Sequence, residues 1–131
     1  MSTEDDQRAI CVRIGTAFEP PSTFEKVGIA LSTIHLQPLN GLRHPPEHGT
    51  CGWYIWGGEE FSTDPELWQA LHVHHLAEEC PAVLPYLALP PGYRFLIAPG
   101  YEDIWEDLAL RDLAAEPRAA ADGACAPLLN A

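Results

Sequence analysis

Three histidines lie close together near the middle of the sequence, and imidazole nitrogens are common ligands of divalent metals. His72 and His75 are three residues apart, with His74 between them, and Glu79 follows His75 by four. On a helix, this spacing places His72, His75 and Glu79 on one face, where they can chelate a divalent metal. The spacing differs from the HExxH pattern of metalloproteases. We instead interpret these histidines as surface hydrogen-bonding or partner-contacting groups, and predict neither a metal nor another cofactor.

The sequence also contains residues that could act as nucleophiles, but none in a recognisable catalytic context. Its four cysteines are scattered, without a CxxC pair, at Cys11, Cys51, Cys80 and Cys125. No GxSxG or phosphate-binding glycine motif is present. We therefore predict buried, free thiols and no catalytic residues, which argues against an enzyme.

Carboxylates and aromatic residues are concentrated in two segments. No lysine or arginine lies between Arg43 and Arg94, yet seven carboxylates do, and residues 101–107 (YEDIWED) combine four carboxylates with two large aromatics. Aromatic anchors among charges are typical of protein-binding surfaces. The alternative is a solvated segment in which Ile104 and Trp105 pack inward. The predicted partner-binding residues are Glu59, Glu60, Glu102, Asp103, Trp105, Glu106 and Asp107.

The overall charge narrows the class of partner. Nineteen Asp and Glu against seven Lys and Arg give a formal net charge of −12. Nucleic acids and anionic membrane surfaces are disfavoured, because both require a cationic protein surface. A basic protein partner is favoured, since opposite charges accelerate encounter. The polar, acidic N-terminus has no signal-peptide pattern, and we expect a cytoplasmic protein with reduced thiols.

The elements that would position these residues suggest one domain of α+β class. We expect a mostly antiparallel sheet with one main α-helix packed on a face. The predicted strands are residues 9–14, 26–34, 52–56 and 93–98, with 103–105 on a short strand or loop. The predicted helices are residues 65–79, which Asp64 and Pro65 begin and Pro81 stops, and the shorter segments 83–87 and 108–115. A long Pro- and Gly-rich loop is predicted at residues 37–52.

The ends of the chain are expected to lie outside the domain. We predict an acidic arm at residues 1–8, the domain at residues 9–115 and an Ala-rich loose tail at residues 116–131. Within the domain, Arg94 is expected to form a structural ion pair with Glu102 or Asp103.

Several strings in the sequence resemble one family. They are NGLRH at 40–44, GWYIW at 52–56 with Gly58-Glu59, His75-Leu76, Cys80-Pro81, Tyr86-Leu87, LPPGYRFLI at 89–97 and YEDIW at 101–105. Together, over residues 9–113, they resemble the bacterial immunity proteins of polymorphic toxin systems, immunity family thirty-three. The resemblance implies a cytoplasmic antidote that binds the toxin domain of a secreted effector, blocks its active site or substrate path and needs no cofactor.

Three functions remain open at this point. The first is a binding module that neutralises a toxin, which we take as the leading hypothesis; the charge suggests a basic toxin such as a nuclease. The second is a small metal-dependent hydrolase that uses His72, His75 and Glu79. The third is a non-catalytic scaffold or oligomerisation domain.

Overall fold

Six strands form one sheet in the computed structural model, which describes residues 3–46, 49–59 and 64–110. The strands are β1 Lys26–Ile29, β2 Leu39–Arg43, β3 Thr50–Gly57, β4 Gln69–His72, β5 Tyr93–Ala98 and β6 Tyr101–Glu106. Their order is β4-β1-β3-β2-β5-β6, and every neighbouring pair is antiparallel except β1 with β3. Strands β4 and β6 are therefore the edges. The predicted α+β class with a mostly antiparallel sheet is confirmed.

Strand β3 lies inside the sheet and is buried on both faces. Cys51, Trp53 and Ile55 belong to the main core, whereas Tyr54 and Trp56 belong to a second cluster that includes Trp68. Alternate residues of a strand point to opposite faces, so a strand covered on both sides has an almost continuous apolar sequence. This explains why GWYIW is the clearest strand signal in the chain.

One main helix, α1 (Thr3–Ile14), packs on the face that holds the main core. Its buried residues are Gln7, Ile10 and Cys11, and Gln7 Nε2 donates a 2.9 Å hydrogen bond to the carbonyl of Leu84. Leu84 lies on the 3₁₀ helix Pro81–Tyr86, which forms the rest of this layer with the short helix α2 (Leu76–Glu79). The helical layer over the sheet therefore joins the N-terminus to the segment before β5.

The predicted strand at residues 9–14 is wrong, because these residues form the second half of α1. Carboxylates fill the first turn of α1 and Arg13 lies in its last turn, an arrangement that complements the helix dipole. Residues 3–8 of the predicted acidic arm lie in the same helix. The predicted tail at residues 116–131 and Cys125 lie outside the described residues.

The predicted helix at residues 65–79 is also wrong. Its start signals are present: Asp64 Oδ1 accepts a 3.0 Å hydrogen bond from the Glu66 amide. They begin only the 3₁₀ helix Pro65–Leu67, after which β4 pairs antiparallel with β1 and the 3₁₀ helix Val73–His75 leads into α2. Strand pairing satisfies the backbone groups that a helix would otherwise satisfy internally.

The predicted loop at residues 37–52 contains β2, which lies between β3 and β5. Its Asn40-Gly41 pair resembles a turn signal, but the ring of Phe95 occupies the space that a Cβ on Gly41 would need. Glycine at this position therefore permits close packing within a strand. The strand predicted at residues 26–34 is shorter, since β1 ends at Ile29 and a 3₁₀ helix, Leu31–Thr33, follows.

The remaining predictions of secondary structure agree with the structure where it describes the residues. Residues 52–56 lie in β3, Tyr93–Ala98 is β5, and residues 103–105 lie in β6. Most of the short helical segment predicted at 83–87 lies in the 3₁₀ helix Pro81–Tyr86. Residues 108–110 are helical, and residues 111–115 of that prediction lie outside the described part. None of the helices in the described part of the chain has the length and apolarity needed to cross a bilayer.

Candidate partner-binding surface

The acidic and aromatic segment predicted as an interface forms the edge strand β6. Ile104 pairs with Phe95 and packs against the main core, so Glu102 and Glu106 share its face while Tyr101, Asp103 and Trp105 take the other. Tyr101 is 56% exposed, and Leu108, just beyond the strand, is 61% exposed. We call Tyr101, Asp103, Glu106 and Leu108, all exposed, the β6 edge surface.

Glu102 is held by contacts within the chain. Its Oε1 lies 2.9 Å from Arg13 Nη2 in the last turn of α1. Its Oε2 accepts a 2.7 Å hydrogen bond from the hydroxyl of Tyr86, whose ring stacks on Phe95. Burial, and secondly this hydrogen bond, raises the pKa of Tyr86, so the phenol remains a donor. Glu102 thus connects the edge strand to the helical layer.

Replacing Tyr86 with phenylalanine is expected to lower the free energy of unfolding by about 1 kcal/mol, because the hydrogen bond to a carboxylate is lost. The loss stays modest since the Glu102 side chain is 32% exposed and water can hydrate it. Urea unfolding measures the change. Asp103→Asn is the matched control, because it removes an exposed carboxylate from the next position of the same strand. Equal losses in both variants would contradict this assignment.

Arg94 interacts with two residues at the end of the edge strand, Asp107 and Trp105. Asp107 Oδ2 lies 3.3 Å from Arg94 Nη1, and the guanidinium lies 5.4 Å from the centroid of the Trp105 ring. Asp107 Oδ1 also accepts a hydrogen bond from the amide of Ala109, which caps the helical turn at 108–110. The ion-pair partner of Arg94 is thus Asp107, and the prediction of Glu102 or Asp103 is wrong. Asp107 and Trp105 therefore support the local structure of the edge.

The predicted interface residues do not meet at one point. One row of register partners crosses four strands and consists of Gly57, Leu39, Ile97 and Glu102. Gly57 and Glu102 are thus three strand spacings apart, about 14 Å, and the exposed Glu59 follows Gly57 by two residues. Glu60 lies outside the described residues. Of the predicted set, the β6 edge surface contains Asp103 and Glu106, which lie on opposite faces of the same strand.

A cleft of about 510 Å³ opens at the Glu106 end of β6. Tyr93, the register partner of Glu106, lines it, together with the carboxylate-bearing residues Glu19 and Glu106. Prolines 45, 90 and 91 form apolar parts of its wall. Such a cleft suits a cationic side chain, whose methylene stem contacts proline and tyrosine while its head meets the carboxylates. No pattern in the sequence shows this cleft, because its walls come from separate segments.

The family model of the Imm33-like domain matches residues 6–107. The chain belongs to the Imm33-like family. This confirms the resemblance to immunity family thirty-three. The match contains all six strands and ends with Asp107, so the edge strand and the cleft lie within the matched residues. No curated protein and no solved structure matches the chain.

The cysteines of this Imm33-like domain are not placed for nucleophilic chemistry. Cys11, Cys51 and Cys80 are free and buried, as predicted. Burial raises the pKa of each of these thiols, which keeps them protonated and weakly nucleophilic. They act as small apolar side chains of the main core.

Three of the histidines of the Imm33-like domain lie at the other edge of the sheet, where β4 ends. The structure brings together His72, His74 and His75, whose potential ligand nitrogens lie within 4.8 Å of one another. The prediction grouped Glu79 with His72 and His75 through a helix that the structure replaces with a strand and a 3₁₀ turn. His74 is the member that helical spacing missed.

Proposed function

We propose that this Imm33-like protein binds the toxin domain of an effector and neutralises it by covering the toxin's active site. The observation that carries the proposal is the β6 edge surface, an edge strand with exposed carboxylates that has an exposed tyrosine at its start and an exposed leucine just beyond its end. Exposed apolar groups with a charged rim are the elements of a protein interface. This function requires binding residues and no catalytic group in the protein.

The charge of the protein favours one class of partner. A net charge of −12 attracts a basic surface and repels an acidic one. A toxin that acts on nucleic acid needs cationic residues to hold phosphates. An acidic antidote can occupy those same residues, so one contact would both bind the toxin and exclude its substrate. A basic nuclease-type toxin is therefore the partner we propose.

The cleft beside β6 gives this contact a specific form. Glu19, Glu106 and Tyr93 line the cleft. An arginine or lysine of the toxin fits there, with its stem against the prolines and its charge near the carboxylates. Such a desolvated contact beside the edge strand would be a hot spot of the complex.

Co-purification from the native host with mass spectrometry identifies the partner, and co-expression with the toxin domain of that partner tests the function. We expect growth to be restored and a 1:1 complex to survive gel filtration. The control is co-expression of the same toxin with an Imm33-like protein from another toxin locus, which should neither bind nor protect. Continued toxicity with no complex formed would show that the proposal is wrong.

A further inference from the structure

The histidine cluster at the end of β4 is built on a rigid part of the backbone. Strand β4 pairs with β1 through four residue pairs, ending with His72 opposite Lys26. Beyond the strand, the amides of Val73 and His74 donate hydrogen bonds to the carbonyls of Glu25 (2.9 Å) and Thr23 (3.3 Å). The backbone from β4 to His74 is therefore hydrogen-bonded to β1 and to the residues just before β1.

Two buried side chains anchor the same segment from within. Val73 is 8% exposed and Leu76 is fully buried, and both belong to the main core. His74 and His75, between them, are exposed. The apolar residues thus set the orientation of the turn, and the imidazoles are left at the surface with freedom to adjust their side-chain torsions.

The 3₁₀ turn explains why the imidazoles converge. Such a helix has three residues per turn, so positions i and i+3 lie above one another. His72 precedes the helix Val73–His75 as its N-cap and therefore lies over His75, with ring centroids 6.0 Å apart. His74 stacks on His72 at 5.6 Å and lies 4.1 Å from His75. A regular α-helix would not bring all three rings together.

We propose that His72, His74 and His75 form a binding site for one divalent transition-metal ion of the zinc class. Zn–N bonds of about 2.0–2.1 Å place two ligand nitrogens of a tetrahedral site about 3.4 Å apart. The nitrogens here lie within 4.8 Å of one another, so small side-chain rotations bring them to the spacing that a bound zinc ion requires. Imidazole suits zinc, copper and nickel, whereas calcium and magnesium prefer oxygen ligands.

The site has three protein ligands and leaves a fourth position for water or for a group from another molecule. Glu78 and Glu79 follow on α2, and their exposed carboxylates add negative potential near the ion. The site lies on edge strand β4, whereas the β6 edge surface lies on the opposite edge. Metal binding here is therefore independent of the proposed toxin contact.

Calorimetric titration of the untagged full-length chain with zinc chloride tests the site, slightly above neutral pH, because metal binding requires deprotonated imidazole. We expect one zinc per chain. His74→Ala should lower the association constant at least tenfold, since losing a ligand costs no less than the 10- to 100-fold typical of an outer-shell group. Its backbone bond to Thr23 is retained, so the fold should persist, which circular dichroism verifies.

The matched control is His35→Ala, which removes an exposed histidine outside the cluster. Zinc affinity should be unchanged in this variant. Failure of the wild-type chain to take up zinc, or equal affinities of the wild type and a folded His74→Ala variant, would overturn the proposal. An equal loss in His35→Ala would do so as well, because binding would then be distributed among surface histidines.

Discussion

Replacing Arg43 with methionine is expected to lower the free energy of unfolding by about 3–5 kcal/mol, because buried carbonyls lose a charged donor. Arg43 is 3% exposed. Its guanidinium donates to the carbonyls of Cys51 (2.9 Å), Glu19 (2.7 Å) and Leu89 (2.7 Å). One side chain thus connects β2 to its neighbour β3, to the segment after α1 and to the turn before β5. Chemical denaturation measures the effect.

The cost arises from the carbonyls of Cys51, Glu19 and Leu89, which lose a charged donor. The Leu87 carbonyl, a weaker partner of Arg43 at 3.3 Å, also accepts from Trp53 Nε1 at 2.9 Å and so stays satisfied. Arg43→Lys should recover only part of the loss, because a lysine head cannot reproduce the planar fork that spans separate carbonyls.

Lys26→Met serves as the matched control for Arg43, because it removes a cation from an exposed strand position. This change should alter stability by no more than about 0.5 kcal/mol. If Arg43→Met changed the stability as little as Lys26→Met, the hydrogen bonds of the guanidinium would not stabilise this part of the core.

Reversing the charge of two carboxylates on the β6 edge surface, Asp103→Lys with Glu106→Lys, is expected to weaken toxin binding about 100-fold, or about 3 kcal/mol. Glu106 lines the cleft and Asp103 lies on the exposed face of the same strand. Lysines there would face the basic surface of the partner. Calorimetry or surface plasmon resonance with the purified toxin domain measures the affinity at two salt concentrations, and the wild-type complex should show the steeper salt dependence.

Glu102 and Asp107 are left unchanged in that variant because both hold the edge in place. The control is Glu78→Lys with Glu79→Lys, which makes the same change in net charge beyond the opposite edge strand, β4. Loss of long-range steering alone would affect both variants equally. Equal affinities of the two variants would therefore place the interface away from β6.

The sequence by itself determined the features that depend on local pattern. The α+β class follows from aromatic and β-branched runs such as Tyr93–Ala98, which the structure keeps as β5. The family follows from strings that lie mostly within these elements. Burial of Cys11, Cys51 and Cys80 follows from the usual preference of free thiols for the core.

Only the tertiary structure decided the features that depend on pairing between distant segments. Residues 9–14 alternate like a strand, but docking of Ile10 and Cys11 on the core favours a helix. Residues 69–72 have helical start signals before them, but an open edge of β1 pairs with them as β4. The helix and strand propensities of a segment differ by less than the free energy of such packing and pairing. The distant segment that it contacts therefore decides which of the two structures forms.

The roles of the acidic residues were decided in the same way. In the sequence, the four carboxylates of residues 101–107 look equivalent. In a strand, however, the side chains of neighbouring residues point to opposite faces. Glu102 meets Arg13 and Tyr86 from the helical layer, while Asp103 takes the other, exposed face. Sequence fixes which residues carry charge. The fold decides which carboxylates the protein uses to hold itself together and which are exposed to a partner, because that depends on what lies against each face.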